Sequence, residues 1–242
     1  MQNDKARLLS TLAAAGLEQA VAVLIEELGY DYEDTSMPAL WAACGRGHLR
    51  VARMLVDRYH ASVEGRAGNR MTPLAAAASG AHADVVTFLL DRGAAVNARA
   101  RLGRSAMMAA AIQGNTRILA ILRQAGAYAD LVDDDGQTAL THAIDGLHTD
   151  AARVLITACA ANVCLQPDPE RFSPLHWAAF RGSREIAKLL IDNGGNIEAR
   201  AVDGTPSLVS AAMNGHPDVV ALLIHAGADV GATNDSGWGR YL

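Results

Sequence analysis

The chain has 242 residues, 50% of them hydrophobic but only 5% aromatic, with a formal net charge of −5 and a pI near 5.9. That balance lacks the basic excess of a dedicated nucleic-acid binder, and no stretch reaches the roughly 20 apolar residues that span a bilayer as a helix; neither nucleic acid nor membrane is expected as a partner. Cys44, Cys159 and Cys164 are too few and too irregularly spaced for a disulfide framework or a zinc site, so no metal or cofactor is expected, and a reducing cytoplasmic setting fits, with the nucleus as the alternative.

Residues 1–33 come first. Leu9 and Leu12 precede Gly16, Val23 and Leu24 follow it, and Asp4, Lys5, Arg7, Glu18, Glu26 and Glu27 lie around them. This pattern predicts a capping pair of helices with a polar outer side. The apolar run Leu8 to Leu17 has Asp4 ahead of it and no convincing cleavage site, so it is read as helix rather than signal peptide.

From there the chain repeats itself. Turn residues fall at Gly47, Ala81, Gly114, Leu147, Gly182 and Gly215, in steps of 34, 33, 33, 35 and 33. Four residues before each stands Ala43, Ala77, Ala110, Ala143, Ala178 or Ala211; eight after each stands Leu55, Leu89, Leu122, Leu155, Leu190 or Leu223. A fixed period of this size marks a solenoid, each unit burying its apolar side against its neighbours. Within a unit, Thr72-Pro73 or Ser173-Pro174 supplies a capping hydroxyl and a first-turn proline. Val85/Phe88/Leu89 and Ile186/Leu189/Leu190 give the i, i+3, i+4 stripe of a second helix. Gly93-Ala94 or Gly194-Gly195 then stops it.

The segments MTPLAAAASGAHADVVTFLLDRGAAVNAR (from Met71) and SPLHWAAFRGSREIAKLLIDNGGNIEAR (from Ser173) carry a T-P-L-H-x-A-A opening, a G-H turn, a V-V-x-x-L-L helix and a G-A-x-V-N close. In this the chain resembles the ankyrin repeat family. The resemblance implies an all-α ankyrin-repeat solenoid: stacked helix-turn-helix units joined by β-turn-like fingers. The repeats are placed at about 34–66, 67–99, 100–132, 133–166, 167–200 and 201–232, with 233–242 as the start of a seventh unit or a tail.

Departures from the period are the second source of information. Only His176 keeps the opening histidine; Trp41, Ala75, Met108, Thr141 and Val209 replace it. His48, His82, His148 and His216 recur at the inter-helix turn and are therefore read as structural. One extra residue falls near Tyr59-His60, and two more fall around Ala160 and in the stretch from Leu165 to Arg171. That finger lacks the usual glycine and holds Pro167 and Pro169, which predicts an altered, stiffened loop.

In ankyrin arrays the concave surface comes from the finger tips and the exposed side of the first helices. Carried over by register, this gathers His142, Asp145, Trp177, Phe180, Arg181, Met213 and Asn214 on one face in repeats four to six. Aromatics with an arginine have the composition of an interaction hot spot. The tips add a basic group (Arg66, Arg70, Arg99, Arg101, Arg104) and an acidic one (Asp130, Asp133, Asp134, Asp135), read either as solvated faces or as steering charges. The expected function is non-catalytic: binding a protein partner, an extended segment among the forms it could take. The alternative is a catalytic or small-molecule-binding solenoid in which His142, three residues from Asp145, acts as a general base beside Trp177, or a regulatory fragment of a larger protein. No P-loop, G-x-G-x-x-G, H-E-x-x-H or G-x-S-x-G signature supports an enzyme.

Overall fold

A computed structural model describes residues 2–27, 32–65 and 71–239, and the side chains of 6–26, 38–65 and 71–239. Arg66 and Arg70, and the side chains of Asp4, Lys5 and Glu27, lie outside these ranges. The regular secondary structure of the described residues is helical. Its helices come in pairs: α1 (Gln2–Ala14) with α2 (Glu18–Glu27), α3 (Tyr32–Gly45) with α4 (Leu49–Arg53), α5 (Pro73–Ser79) with α6 (Ala83–Asp91), and α7 (Ala106–Ile112) with α8 (Thr116–Gln124). Then follow α9 (Ala139–Asp145) with α10 (Thr149–Thr157), α11 (Pro174–Arg181) with α12 (Arg184–Asp192), and α13 (Ser207–Met213) with α14 (Pro217–His225). Among the described residues there is no strand, only an isolated antiparallel bridge between Arg200 and Pro206. Two compact units result, one of residues 1–110 and 117–128, the other of 111–116 and 129–242.

The recurrent alanines and leucines of the sequence are the packing positions. All six alanines and all six leucines are fully buried. Alanine there lets successive first helices lie close, and each buried leucine contributes about 2 kcal/mol of apolar transfer. In the first unit α3 packs against α1 and α5; in the second, α11 packs against α9 and α13 while α12 packs against α10 and α14.

The capping pair departs from the expected register. Val21 and Ile25, not Val23 and Leu24, supply the buried stripe of α2, and Val23 is 51% exposed. Its second helix is thus set about one residue out of the phase that the later units share.

The inter-helix turns explain themselves through a contact between neighbouring repeats. The rings of His48, His82, His148 and His216 lie over Gly16, Gly47, Gly114 and Gly182, where an added Cβ would meet ring atoms at 2.7 Å or closer. His48, His148 and His216 bond through Nε2 to the carbonyls of Ala14, Ile112 and Phe180 at 2.8, 2.9 and 3.0 Å. Each carbonyl belongs to the first helix of the preceding unit. These glycines also sit at φ between +65° and +78°, so glycine is favoured twice over. Where the turn residue is Ala81 or Leu147, the position one repeat later holds Asn115 or Ser183 instead of histidine.

Two of the three extra residues are absorbed at helix ends, and the third falls in the finger between Ala161 and Asp168. Met54–Arg58 forms a π-helical turn, and Ala61 N–H and Ala161 N–H reach back six residues to Leu55 O and Leu155 O. The regular units reach back five, as Ala94 does to Leu89. In these widened ends His60 and Ala160 take the left-handed conformation (φ +54° and +55°) that Gly93 and Gly126 occupy elsewhere. A π-type widening is the usual way a helix swallows one residue.

The fingers share one tight turn. Backbone N–H to C=O bonds close it at Ala100/Arg104, Asp133/Gln137, Ala201/Thr205 and Asn234/Trp238. Its fourth residue is left-handed: Gly103, Gly136, Gly204 and Gly237, with Arg171 (φ +56°) standing in for glycine in the proline-bearing finger. That finger keeps the Arg171 N–H to Asp168 O bond at 2.9 Å but not the wider closing bond of the other four, so its turn is altered in part, as expected. It also loses a donor. Val202 N–H bonds Glu170 O and Asp235 N–H bonds Asp203 O across neighbouring fingers, and the residue at the same register in the proline-bearing finger is Pro169, which has no N–H.

Candidate functional site

The residues singled out in repeats four to six all belong to the second unit, on or just beyond α9, α11 and α13. Local sequence fixes each helix. Thr138 accepts from Thr141 N–H while the Thr141 hydroxyl accepts from Thr138 N–H, a reciprocal cap at the start of α9. Ser173 and His176 do the same for α11, with Pro174 in the first turn. Because Nδ1 of His176 accepts from Ser173 N–H, its Nε2 carries the proton and donates to Thr205 O at 2.9 Å, joining the fifth repeat to the sixth. Burial holds the His176 pKa below its ordinary value, against the opposing pull of the Thr205 bond and of Asp168 and Asp203. Thr141 reproduces the local half of this arrangement with a hydroxyl that closes on Thr138.

The expected His142–Asp145 pair does not form. His142 Nε2 donates to Asp133 Oδ2 at 2.8 Å, and its side chain is only 10% exposed. Asp145 instead receives Arg181, whose Nη2 and Nε lie 2.6 and 2.9 Å from Oδ1. Asp133 is equally far from the solvated tip residue that the sequence suggested. It is 4% exposed, and its Oδ1 accepts from Asp135 N–H and Gln137 N–H. It organises its own finger and anchors His142; Asp130, Asp134 and Asp135 remain the exposed acids of that tip. A periodic sign pointed there: Asp168 and Asn234 stand at the register of Asp133 and likewise accept, through Oδ1, from the N–H four residues on.

The aromatic part of the expected surface does assemble. Trp177 lies edge-on to Phe180 (6.3 Å, 80°) and to Phe172 (5.9 Å, 89°), and Phe172 stacks on His176 at 5.7 Å. Phe172 was not foreseen, since it falls in the irregular finger. Phe180 and Met213 are 45% and 57% exposed. Asn214 is turned to its own helix, its Nδ2 donating to Ser210 O at 2.8 Å. Met213 also lines a cleft of about 440 Å³ together with Val209, Ala212 and Trp238, whose side chain is 62% exposed. With Arg181 and Asp145 neutralising each other, the exposed character of this face is apolar.

Arg101 and Arg104 belong to the first unit, in the finger where Ala100 N–H bonds Arg104 O at 2.7 Å; Arg101 is exposed there. Among the described residues no group of three or more His, Cys, Asp or Glu side chains could hold a metal ion, and no helix is long and apolar enough to cross a membrane.

Comparison with known proteins gives the same picture for the whole chain. A family model described as "Ankyrin repeats (3 copies)" matches residues 9–100, 96–167 and 159–234. The ankyrin repeat domain-containing protein SAT10 of Stachybotrys chartarum is 30% identical over 197 residues, 78% of this chain and 9% of that protein. The human ankyrin repeat and KH domain-containing protein 1 is 40% identical over 102 residues, 41% of this chain and 4% of that protein. The chain thus spans less than a tenth of either relative. Among solved structures, the ankyrin repeat domain of Bcl-3, a member of the IkappaB protein family, superposes with a TM-score of 0.75 at 25% identity, covering 86% of this chain and 92% of that one.

Proposed function

The chain belongs to the ankyrin-repeat family, and from that premise we propose that it is a non-catalytic binding module whose second unit grips a protein partner on the concave face of α11 and α13. Ankyrin repeats generally mediate protein–protein interaction. The observation that carries the reading is the run of exposed apolar side chains, Phe180, Met213 and Trp238, beside a cleft of about 440 Å³. Aromatic anchors flanked by an arginine and seated beside a cleft are what concentrated interface energy requires. Trp177, edge-packed from both sides, holds Phe180 in place.

A general-base role for His142 has little to support it, because both groups of the imagined pair are engaged elsewhere. The reducing, cytoplasmic placement remains part of the proposal, with the nucleus second; the thiols of Cys44 and Cys164, neither in a disulfide, are in keeping with it.

Affinity capture from the native extract tests the surface. Phe180→Asp and Met213→Asp place charge on exposed positions and leave the core alone, so both variants should fold and lose the partner. Unchanged capture by both sinks the proposed face. Arg181→Ala removes an exposed ion pair worth about 0–1 kcal/mol and should weaken capture without measurable loss of stability.

A further inference from the structure

The largest cleft among those described lies in the first unit, away from the residues that the sequence singled out. It measures about 830 Å³ and is lined from three successive first helices, α1, α3 and α5. Its depth comes from side chains that stop at Cβ or before it: Ala14, Ala42, Gly45 and Ala76. Neighbouring helices packed at about 8–10 Å make such a cleft roughly 20 Å across three of them. An extended chain at about 3.3 Å per residue crosses that distance in about six residues.

Two side chains give the cleft a chemical preference. Arg46 is exposed, and no described carboxylate pairs with it. Its situation is set by register. Arg181 occupies the same place, one residue before its turn, and is neutralised by Asp145, two residues before the preceding turn. For Arg46 the residue two before the preceding turn is Ala14, which has no charge to offer. Trp41 lines the same cleft with its indole N–H buried and without an acceptor. A rotation of the ring that brought this N–H to a bound carbonyl is therefore favoured rather than opposed.

We propose that this cleft binds an extended segment of another protein, with an aspartate or glutamate of that segment on Arg46 and small or apolar residues over the alanine and glycine floor. A peptide fits better than a polyphosphate backbone, because among the described residues Arg46 is the one charged residue lining the cleft and the rest of that lining is neutral. A guanidinium without an internal counter-ion selects a planar carboxylate in two-point fashion. The site shares no lining residue with the face of α11 and α13, and the proposal does not depend on that face.

The test uses phage-displayed random twelve-residue peptides, panned against the full chain and against Arg46→Glu. Enriched peptides should share an acidic residue at one position. By fluorescence anisotropy they should bind Arg46→Glu at least about tenfold more weakly. Replacing the shared acid by lysine should restore binding to Arg46→Glu. Ser79→Glu, which puts a like charge in the cleft, should also weaken them, whereas Trp177→Ala with Arg181→Ala should not. The proposal is overturned by no shared acid, by equal binding to Arg46→Glu, or by no enrichment over that variant. Peptides lost only with Trp177→Ala and Arg181→Ala also overturn it, and would support the other face. Arg46 is exposed, so far-ultraviolet circular dichroism of Arg46→Glu should be unchanged.

Discussion

Gly114 and His148 offer a direct measurement of what joins one repeat to the next. Gly114 sits at φ +65°, and a Cβ there would stand 2.7 Å from Nδ1 and 2.8 Å from Cγ of His148. Gly114→Ala therefore costs about 1 kcal/mol for a left-handed alanine. It also displaces the imidazole from its 2.9 Å bond to Ile112 O, which adds about 1 kcal/mol. The sum is about 2 kcal/mol before any strain in the displaced ring. His148→Ser alone loses the same bond but gains a capping hydroxyl at the start of α10, an exchange of about 1 kcal/mol against about 1 kcal/mol. In the double variant the serine leaves room for the Cβ, so only the backbone cost remains, about 1 kcal/mol. Leu147 at φ +57°, with Ser183 one repeat later, is the same solution in the native chain. Urea unfolding followed by helical circular dichroism reads the cycle. With a slope of about 3 kcal/mol per molar, Gly114→Ala should lower the midpoint by roughly 0.7 M, and the double variant by about half of that. Additivity of the two single effects within about 0.5 kcal/mol would refute the steric coupling.

Ala160→Gly relieves a non-glycine residue at φ +55°, and should raise stability by about 0.5–1 kcal/mol; a lowered urea midpoint contradicts the account of the widened helix end. His176, held below its ordinary pKa of 6.5 chiefly by burial, makes stability depend on pH. Below 6.5 the unfolded chain takes up a proton there that the folded chain refuses, so the contribution is intact above 6.5 and lost as pH falls towards the folded value. His176→Gln should narrow the gap in urea midpoint between about pH 7.5 and pH 5; an equal gap rules this residue out as the source. Cys44 is fully buried with its pKa pushed up to about 12, and Cys159 is buried as well, whereas Cys164 is exposed. A thiol reagent should modify Cys164 in the folded chain within the time that Cys44 takes only after denaturation; equal rates contradict the placement of Cys44.

The fold was legible because its determinants are local and periodic: alanine where helices touch, leucine where the second helix buries, proline and hydroxyl where the first begins. The site was legible only in part. Trp177, Phe180 and Met213 could be placed by register, since register decides which side of a helix a residue occupies. His142 and Asp145 could not be paired that way, because spacing on a helix does not reveal a better partner in a finger nine residues upstream or in the next repeat. Asp133 looked like one of a run of tip acids, and charge alone did not separate the one that turns inward to collect two backbone N–H groups. Val21 took the place expected of Val23 because this pair lacks the Thr-Pro opening that sets the register of the later repeats. The cleft beside Arg46 was hidden for the opposite reason. It consists of small residues, which read in sequence as ordinary packing.

The pairing of a turn glycine with the histidine of the following repeat also bears on how such an array can change over generations. A unit that opens its turn with histidine can follow only a unit whose own turn ends in glycine, so duplication or exchange of whole repeats obeys a matching rule at every seam. The unit that carries Ser183 accepts a leucine turn ahead of it, as Leu147 shows, yet the unit that carries Leu147 opens with His148, so a second copy of it placed ahead of His148 would set a leucine side chain against the ring. The repeats are alike in shape but not interchangeable, and their order is part of what has been inherited.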